Sequence, residues 1–217
     1  MMGMISFFRK IFFVVILTFS TGLVFAQNEP QPITGKKAPD FHGTTYDGKY
    51  FSLSDLLYRG PVVLLFYPGG WEAASQSWLQ SYQMQQASFD ALNASIVAIS
   101  VDNRDRTAAM AQMMQITYYV VADENMEVIN AYKVSEQLPE MSPDEETQFA
   151  QYTARQDRMV SKPAIFIIDA QGNIAFSGTS DKGSIRMGPA AAQGILGARP
   201  SAINEVPPPA PPKKRKY

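Results

Sequence analysis

Glu72 and Ser75 are two polar residues one helical turn apart at the start of a predicted helix that follows an apolar strand pattern. A strand that turns directly into a helix presents side chains at the helix N-terminus, where backbone N–H groups favour negative charge. A serine there could act as a hydrolytic nucleophile if a base lies within hydrogen-bond reach, and Glu72 is the nearest candidate. The simpler interpretation is that Glu72 is a favourable first-turn residue and Ser75 a small packing residue.

Other residue types restrict the chemistry further. No Gly-x-Ser-x-Gly pattern surrounds Ser75, which argues against a hydrolase of that class. The chain has no cysteine and one histidine, His42, in a predicted hairpin. Disulfide bonds and thiolate metal ligands are therefore excluded, and a single histidine supports no transition-metal site. We expect no metal and no other cofactor.

Apolar residues along 34–200 alternate between strand and helix periodicity, which is typical of an α/β sheet covered by helices. Asp47-Gly48 between two short strand patterns predicts a β-hairpin. The remaining predicted elements are strands at 62–67, 95–101, 119–122, 163–169 and 174–177, and helices at 71–92, 108–114, 126–132 and about 189–196.

The segment 135–161 is polar and acidic in its first half, and we interpret it as an insertion. Ser142, Pro143 and Glu145 have the spacing of an N-cap, a first-turn proline and a capping-box acid, so they predict a helix start. The acidic residues that follow Pro143 then compensate the helix dipole. A weaker hypothesis makes this insertion an interaction face, together with four tyrosines: Tyr118, Tyr119, Tyr132 and Tyr152.

Several blocks in this order closely resemble the thioredoxin-like superfamily, and within it the peroxiredoxin and alkyl hydroperoxide reductase type. They are GKKAPDF at 35–41, DGK at 47–49 with SLSD at 52–55, VVLLFY at 62–67, VAISVD at 97–102, ADE at 122–124 with AYKV at 131–134, and IFIID at 165–169 with Gly172. The resemblance implies a thioredoxin-like fold with a central mixed sheet flanked by helices and an N-terminal β-hairpin. It also implies thiol-dependent peroxide or disulfide reduction as the family activity.

At the turn after the strand at 62–67, peroxiredoxins resemble P-x-x-x-[TS]-x-x-C. In that register Pro68 matches the proline, Glu72 replaces the threonine and Ser75 replaces the peroxidatic cysteine. A related redoxin pattern, G-G-W-C-x-x-C, matches 69–71 and again places Glu72 and Ser75 at the cysteines. The family reaction needs a thiolate that becomes a sulfenic acid, and a serine oxygen cannot follow that chemistry.

The resemblance also implies which residues face this turn. Pro163, directly before a strand, is similar to the cis-proline of thioredoxin-like folds, which would bring Lys162 and Pro163 near Glu72 and Ser75. Arg158 is the nearest candidate for the family's active-site arginine. With Trp71 in the turn itself, these are the site-facing candidates. An ion pair from Lys162 or Arg158 to Glu72 would make the site structural.

We therefore interpret 34–200 as a peroxiredoxin-like domain that has lost thiol redox function and acts as a binding or structural protein of the cell envelope, with an unknown protein partner. Two alternatives are a residual enzyme that uses Ser75 and Glu72 differently and a non-catalytic subunit of a redox partner. Acidic residues outnumber basic ones in this domain, so we expect no nucleic-acid ligand.

The N-terminal residues 1–26 have the pattern of a secretory signal peptide. Arg9 and Lys10 precede an apolar run, and small residues stand near Ala26, so we expect cleavage there and a periplasmic or secreted protein. An uncleaved membrane anchor is the alternative. Residues 27–33 would then form a short leader.

The C-terminal residues 201–217 form a proline-rich, basic segment that we expect to be a disordered tail. A merely solvated tail is the simpler expectation, and the alternative is a weak contact with an anionic surface through its four consecutive basic residues. They are Lys213, Lys214, Arg215 and Lys216.

Overall fold

A computed structural model describes residues 34–179 and 186–198. The predicted signal peptide, the leader and the basic tail lie outside the described residues. Within the described residues, no helix combines the length and apolar character needed to cross a membrane. The strands are β1 His42–Thr44, β2 Tyr50–Ser52, β3 Val62–Phe66, β4 Ser95–Ser100, β5 Tyr119–Ala122, β6 Ser135–Gln137, β7 Met159–Ser161, β8 Ala164–Ile168 and β9 Ile174–Thr179. The helices are α1 Leu53–Arg59, α2 Ala73–Met84, α3 Gln86–Ala91, α4 Arg104–Met113, α5 Glu127–Ala131, α6 Pro143–Tyr152 and α7 Pro189–Ala198.

The centre of the domain is a five-stranded mixed sheet in the order β5-β4-β3-β8-β9. β3 and β4 are parallel, as are β4 and β5, whereas β8 runs antiparallel to both β3 and β9. This confirms the predicted α/β architecture with a central mixed sheet.

β3 is the middle strand, and all five of its residues are buried. Leu64 and Phe66 pack into one apolar cluster with residues of α1 and α5, while Val63 and Leu65 pack into the other with α2 and α4. A strand covered on both faces has a continuous apolar sequence instead of an alternating one, which is why 62–67 could be recognised as a central strand.

The N-terminal hairpin is also confirmed. β1 and β2 pair antiparallel, and the turn between them places Gly48 at a φ of 86°, a left-handed conformation that glycine adopts without strain. Gly48 N–H donates to the Thr45 carbonyl at 2.9 Å and closes the turn. Ser52 then caps α1 in a capping box with Asp55.

The single long helix predicted at 71–92 is wrong. It is divided into α2 and α3 at Gln85, whose φ of −106° and ψ of 9° depart from helical values. The apolar spacing gave no sign of the break because Tyr82 and Phe89, on either side of it, stack at 5.6 Å in the same apolar cluster. The predicted start of the next helix at 108 is also late, since Asn103 caps α4 and the helix begins at Arg104.

The predicted insertion at 135–161 folds back onto the domain. β6 and β7 pair antiparallel at its two ends, and α6 lies between them. The predicted capping box is confirmed: Ser142 Oγ accepts from Glu145 N–H, and Glu145 Oε2 accepts from Ser142 N–H at 2.8 Å. The four tyrosines do not form one exposed face, because Tyr118 and Tyr132 are buried on opposite sides of the central sheet.

Candidate functional site

The turn that joins β3 to α2 carries the two polar residues from which the sequence argument began. Glu72 is the N-cap residue of α2, and its side chain makes no capping hydrogen bond. Ser75 lies in the first turn of α2 and is completely buried. The side chain of Glu72 is therefore available for other partners, whereas the Ser75 hydroxyl must find its partners inside the protein.

Those partners form a polar cluster of three side chains, Glu72, Ser75 and Arg186, which we call the Glu–Ser–Arg cluster. Ser75 Oγ donates to Glu72 Oε2 at 2.5 Å, and Arg186 Nη2 donates to the same carboxylate oxygen at 2.6 Å. Arg186 Nη1 lies 3.4 Å from Ser75 Oγ. One carboxylate oxygen thus accepts from both neighbours, and the negative charge of Glu72 is neutralised by Arg186.

Arg186 lies in the segment that leads into α7, and α2 holds this segment in place. Trp78 Nε1 and Tyr82 Oη both donate to the Met187 carbonyl, at 2.8 and 3.0 Å. The Arg186 guanidinium lies over the Trp78 ring at 5.6 Å, a distance that permits a cation–π contact. The arginine is therefore positioned both through its backbone neighbour and through its own side chain.

The predicted ion-pair partners of Glu72 are wrong. Arg158 donates to the Pro139 carbonyl at 3.4 Å, and Lys162 is attached by its backbone N–H to the Val134 carbonyl at 2.7 Å. No salt bridge joins either residue to Glu72, whose partner is Arg186. Sequence reasoning missed Arg186 because it lies beyond the blocks that carry the resemblance. The only available signal was an arginine between two apolar residues just before a predicted helix.

Pro163 also differs from the expectation. The Lys162–Pro163 peptide bond is trans, since no peptide bond among the described residues is cis. Pro163 nevertheless lines a cavity to which Arg186 also contributes. The structure therefore places Pro163 at the cavity that Arg186 borders and leaves Arg158 and Lys162 with partners outside the cluster.

Comparison with known proteins identifies the family. Residues 34–177 match the AhpC/TSA family. The chain belongs to this family. A putative peroxiredoxin bcp of Helicobacter pylori is 31% identical over 99 residues, which cover 46% of this chain and 64% of the relative. The chloroplastic 2-Cys peroxiredoxin BAS1 of Spinacia oleracea is 23% identical over 168 residues, which cover 73% of this chain and 56% of the relative. The chain thus spans less than two thirds of the length of these relatives.

Solved structures show the same fold. Peroxidoxin BcpB of Mycobacterium tuberculosis superposes with a TM-score of 0.64 at 24% identity, covering 77% of this chain and 98% of its own. The reduced 2-Cys peroxiredoxin of Plasmodium vivax superposes with a TM-score of 0.61 at 19% identity, covering 78% of this chain and 82% of its own. These likenesses establish the thioredoxin-like peroxiredoxin fold.

Within the AhpC/TSA fold, this chain has no cysteine at the turn or anywhere else in its sequence. The described residues also contain no group of three or more His, Asp or Glu side chains that could hold a metal ion. What the turn offers instead is an ion pair and a buried hydroxyl. This arrangement can position groups and donate hydrogen bonds, but Ser75 Oγ cannot take up and return electrons as a thiolate does.

A buried carboxyl group, that of Asp102, accepts a hydrogen bond from the backbone of the turn. Asp102, which follows β4, accepts from the Gly70 N–H at 2.7 Å and from the Ser100 hydroxyl at 3.0 Å, both on Oδ2. Burial raises the pKa of Asp102 to about 7. Asp102 Oδ1 and the nearby Tyr67 hydroxyl have no hydrogen-bond partner among the described residues. Asp102 stood within one of the resemblance blocks, but nothing in the sequence indicated that it holds the turn.

Helix α6, in the segment 135–161, packs against Trp71 of the turn. The Trp71 ring packs edge-on against Phe149 at 5.4 Å and against Tyr152 at 5.8 Å, and both residues belong to α6. The Tyr152 carbonyl also accepts from the Asn103 N–H at 2.7 Å, which fastens the end of α6 to the start of α4. Helix α6 is therefore part of the framework of the candidate site.

Proposed function

We propose that this member of the AhpC/TSA family is non-catalytic and acts by binding, as an exported binding or structural protein of the cell envelope. The observation that carries the proposal is the Glu–Ser–Arg cluster: the residue at the peroxidatic position is a buried serine, and its hydroxyl is committed to Glu72. The family relation supports a scaffold evolved for thiol-dependent peroxide reduction. The absence of any cysteine removes the atom on which that reaction occurs.

The arrangement gives equally little support to serine hydrolysis. A nucleophilic serine must reach the substrate carbonyl while a base removes its proton. The Ser75 side chain has no exposed surface, and the carboxylate that would serve as its base accepts a second hydrogen bond from Arg186. The geometry of the cluster therefore fits a stabilising polar contact at the start of α2 better than a nucleophile with its base.

The cellular location and the partner are proposed from the sequence. The signal-peptide pattern at 1–26 supports export to the periplasm or the exterior, where a chain without thiols needs no reducing environment. A protein partner in the envelope would have access to the face of α6 opposite the buried Phe149, where Asp144, Thr147 and Gln148 are exposed. The basic residues at 213–216 would add at most a weak contact with an anionic surface.

Peroxide consumption by the purified protein tests the proposal. Hydrogen peroxide and an organic hydroperoxide are each supplied with dithiothreitol or with a thioredoxin system, and the expected rate equals that of buffer. The matched positive control is the double variant Glu72→Thr, Ser75→Cys, which restores the family motif after Pro68. Turnover by the natural chain that Ser75→Ala abolishes would overturn the non-catalytic assignment.

A further inference from the structure

We propose that the cavity beside the Glu–Ser–Arg cluster binds an uncharged, mainly apolar small molecule that directs a hydrogen-bond acceptor, such as a carbonyl oxygen, at Arg186. This inference rests on the proposed function, because it gives the non-catalytic site a ligand class. The cavity lies between α2, the start of β8, the end of β9, and α7 with the segment that leads into it.

The size and lining of the cavity fit a small organic ligand. Its volume is about 380 Å³, within the range of roughly 300–1,000 Å³ that is usual for such sites. Most of the surface is apolar and comes from four different elements, so a ligand would be enclosed from several sides. The main apolar contributors are Trp78, Pro163, Ile165, Phe176, Met187 and Ala191.

Arg186 supplies hydrogen-bond donors to this otherwise apolar cavity. A guanidinium group carries five N–H bonds. In the Glu–Ser–Arg cluster one N–H of Nη2 goes to Glu72 and one of Nη1 points at Ser75, which leaves three without an acceptor among the described residues. The Arg186 side chain is only 12% exposed, so an acceptor that reaches it from the cavity is largely shielded from water.

The ion pair between Glu72 and Arg186 favours an uncharged ligand over an anionic one. Glu72 Oε2 lies 2.6 Å from Arg186 Nη2, so the positive charge of Arg186 is already compensated. An anionic ligand would bring a second negative charge to this pair and would also have to lose its hydration in an apolar cavity. An uncharged carbonyl compound gains the hydrogen bond without that cost.

The cavity wall is held in place before any ligand arrives. Trp78 and Tyr82 both donate to the Met187 carbonyl, and the Trp78 ring supports the Arg186 guanidinium. Two sides of the cavity are thereby fixed to α2. Because these groups need not be ordered on binding, a small ligand can bind without a large entropic cost.

Chemical-shift changes of backbone amides in NMR spectra of the purified protein test the inference with three probes of similar size. Acetophenone is uncharged and has an acceptor, ethylbenzene lacks the acceptor, and benzoate carries a negative charge. We expect saturable binding of acetophenone in about the millimolar range, with shifts at Gly178, Thr179 and Gly188. Ethylbenzene and benzoate should each bind about fivefold more weakly. Ethylbenzene cannot accept the hydrogen bond from Arg186, and benzoate must lose the hydration of its charge beside the Glu72 carboxylate.

Two alanines on α7 provide a matched pair of variants. Ala191 lines the cavity and Ala190 does not, although both are exposed on the same helix. Ala191→Phe should fill the opening and weaken acetophenone binding at least tenfold, whereas Ala190→Phe should leave it unchanged. Equal binding in both variants, or stronger binding of benzoate than of acetophenone, would overturn the inference. So would a dimer in sedimentation that Ala191→Phe alone dissociates, because a second copy of the chain would then occupy the cavity.

The result can be separated from that of the peroxide assay. Binding is read from amide shifts without any turnover, so a chain that reduces peroxide but also binds acetophenone would overturn only the proposed function. A chain that neither reduces peroxide nor binds any of the probes would overturn only the ligand assignment.

Discussion

Arg186 Nη2 donates to Glu72 Oε2 at 2.6 Å, which joins the N-cap of α2 to the segment that leads into α7. Glu72 stands where the family motif has a threonine, and its charge would oppose the formation of a thiolate at position 75. In this chain the same charge is used in an ion pair, and Ser75 adds a hydrogen bond to it. The turn that carries the family motif is therefore joined to a second element in this chain.

Glu72→Gln should lower the stability of the protein. The change leaves the hydrogen-bonding shape of the side chain but removes the charge that Arg186 faces. The Glu72 side chain is 37% exposed, so solvent screening limits the loss to about 1 kcal/mol, or a decrease of roughly 2–4 °C in melting temperature. Thermal unfolding at low and high salt measures it, and the loss should diminish as salt is added.

A double-mutant cycle separates the ion pair from other effects of the substitution. The double variant of Glu72→Gln and Arg186→Gln should lose less stability than the sum of the two single variants, because the second change costs less once the partner is gone. Additive effects would mean that the ion pair contributes nothing to stability, even though the two groups are in contact.

Restoring the thiol at position 75 should reveal the effect of Glu72 on a reactive cysteine. In Ser75→Cys, burial and the adjacent carboxylate both raise the pKa of the introduced thiol. The further change Glu72→Thr removes the carboxylate and leaves Arg186 beside the sulfur, so that pKa should fall by more than about one unit. Ultraviolet absorbance of the thiolate during a pH titration measures both values.

Ser77→Cys is the matched control for the titration. Ser77 lies in the same part of α2 but is exposed, so its thiol should titrate normally with or without Glu72→Thr. If Glu72→Thr left the pKa of the thiol at position 75 unchanged, the carboxylate would have no electrostatic role at the turn.

The strands, turns and helices around the site were predictable from sequence because each has a recognisable pattern among neighbouring residues. β3 is a continuous apolar run buried on both faces, the Asp47-Gly48 turn needs a glycine, and α6 starts with a complete capping box. These features arise from residues within a few positions of each other. The turn and its two polar residues could therefore be located correctly.

The partners of the site were not predictable because they are distant in sequence. Arg186 is 114 residues from Glu72, and Asp102 is 32 residues from Gly70. Each contact depends on how the sheet brings separate loops together, and neither residue belongs to a pattern with its partner. Arg158 is close to Pro163 in sequence, but its backbone lies at a φ of 54° in the turn before β7 and its side chain donates to the Pro139 carbonyl.

Phe149→Ala should loosen the insertion without unfolding the sheet. Phe149 is 3% exposed and packs against Trp71, so truncation of its ring should cost about 3 kcal/mol in contacts between α6 and the turn. Hydrogen exchange should accelerate at 143–152 and 68–72 and stay slow in β3 and β4. Gln148→Ala, at an exposed position of the same helix, should change neither region. Uniform acceleration across the domain would show that α6 and the sheet unfold as one unit.

Asp102→Asn should change how stability depends on pH. Burial raises the pKa of Asp102 to about 7 in the folded protein, above the value of 3.8 for an unperturbed aspartate. Between these values the folded state holds a proton that the unfolded state has released. The contribution of Asp102 is therefore fully present below about pH 4 and is lost as the pH rises to 7, with a slope of at most about 1.4 kcal/mol per pH unit.

Urea unfolding of the natural chain and of Asp102→Asn, from about pH 4 to about pH 8, measures this loss as a difference. An asparagine keeps an oxygen acceptor for the Gly70 N–H and the Ser100 hydroxyl, and it has no proton to lose in this range. The variant should therefore gain stability relative to the natural chain as the pH rises, and the gain should level off above about pH 7. Other titrating groups, such as Asp123, whose pKa is also raised by burial, contribute equally to both proteins and cancel. A stability difference between the two proteins that stayed constant across the range would mean that Asp102 is ionised in the folded protein throughout. The Gly70 N–H would then donate to a carboxylate at every pH tested, and Asp102 would give the turn no pH dependence.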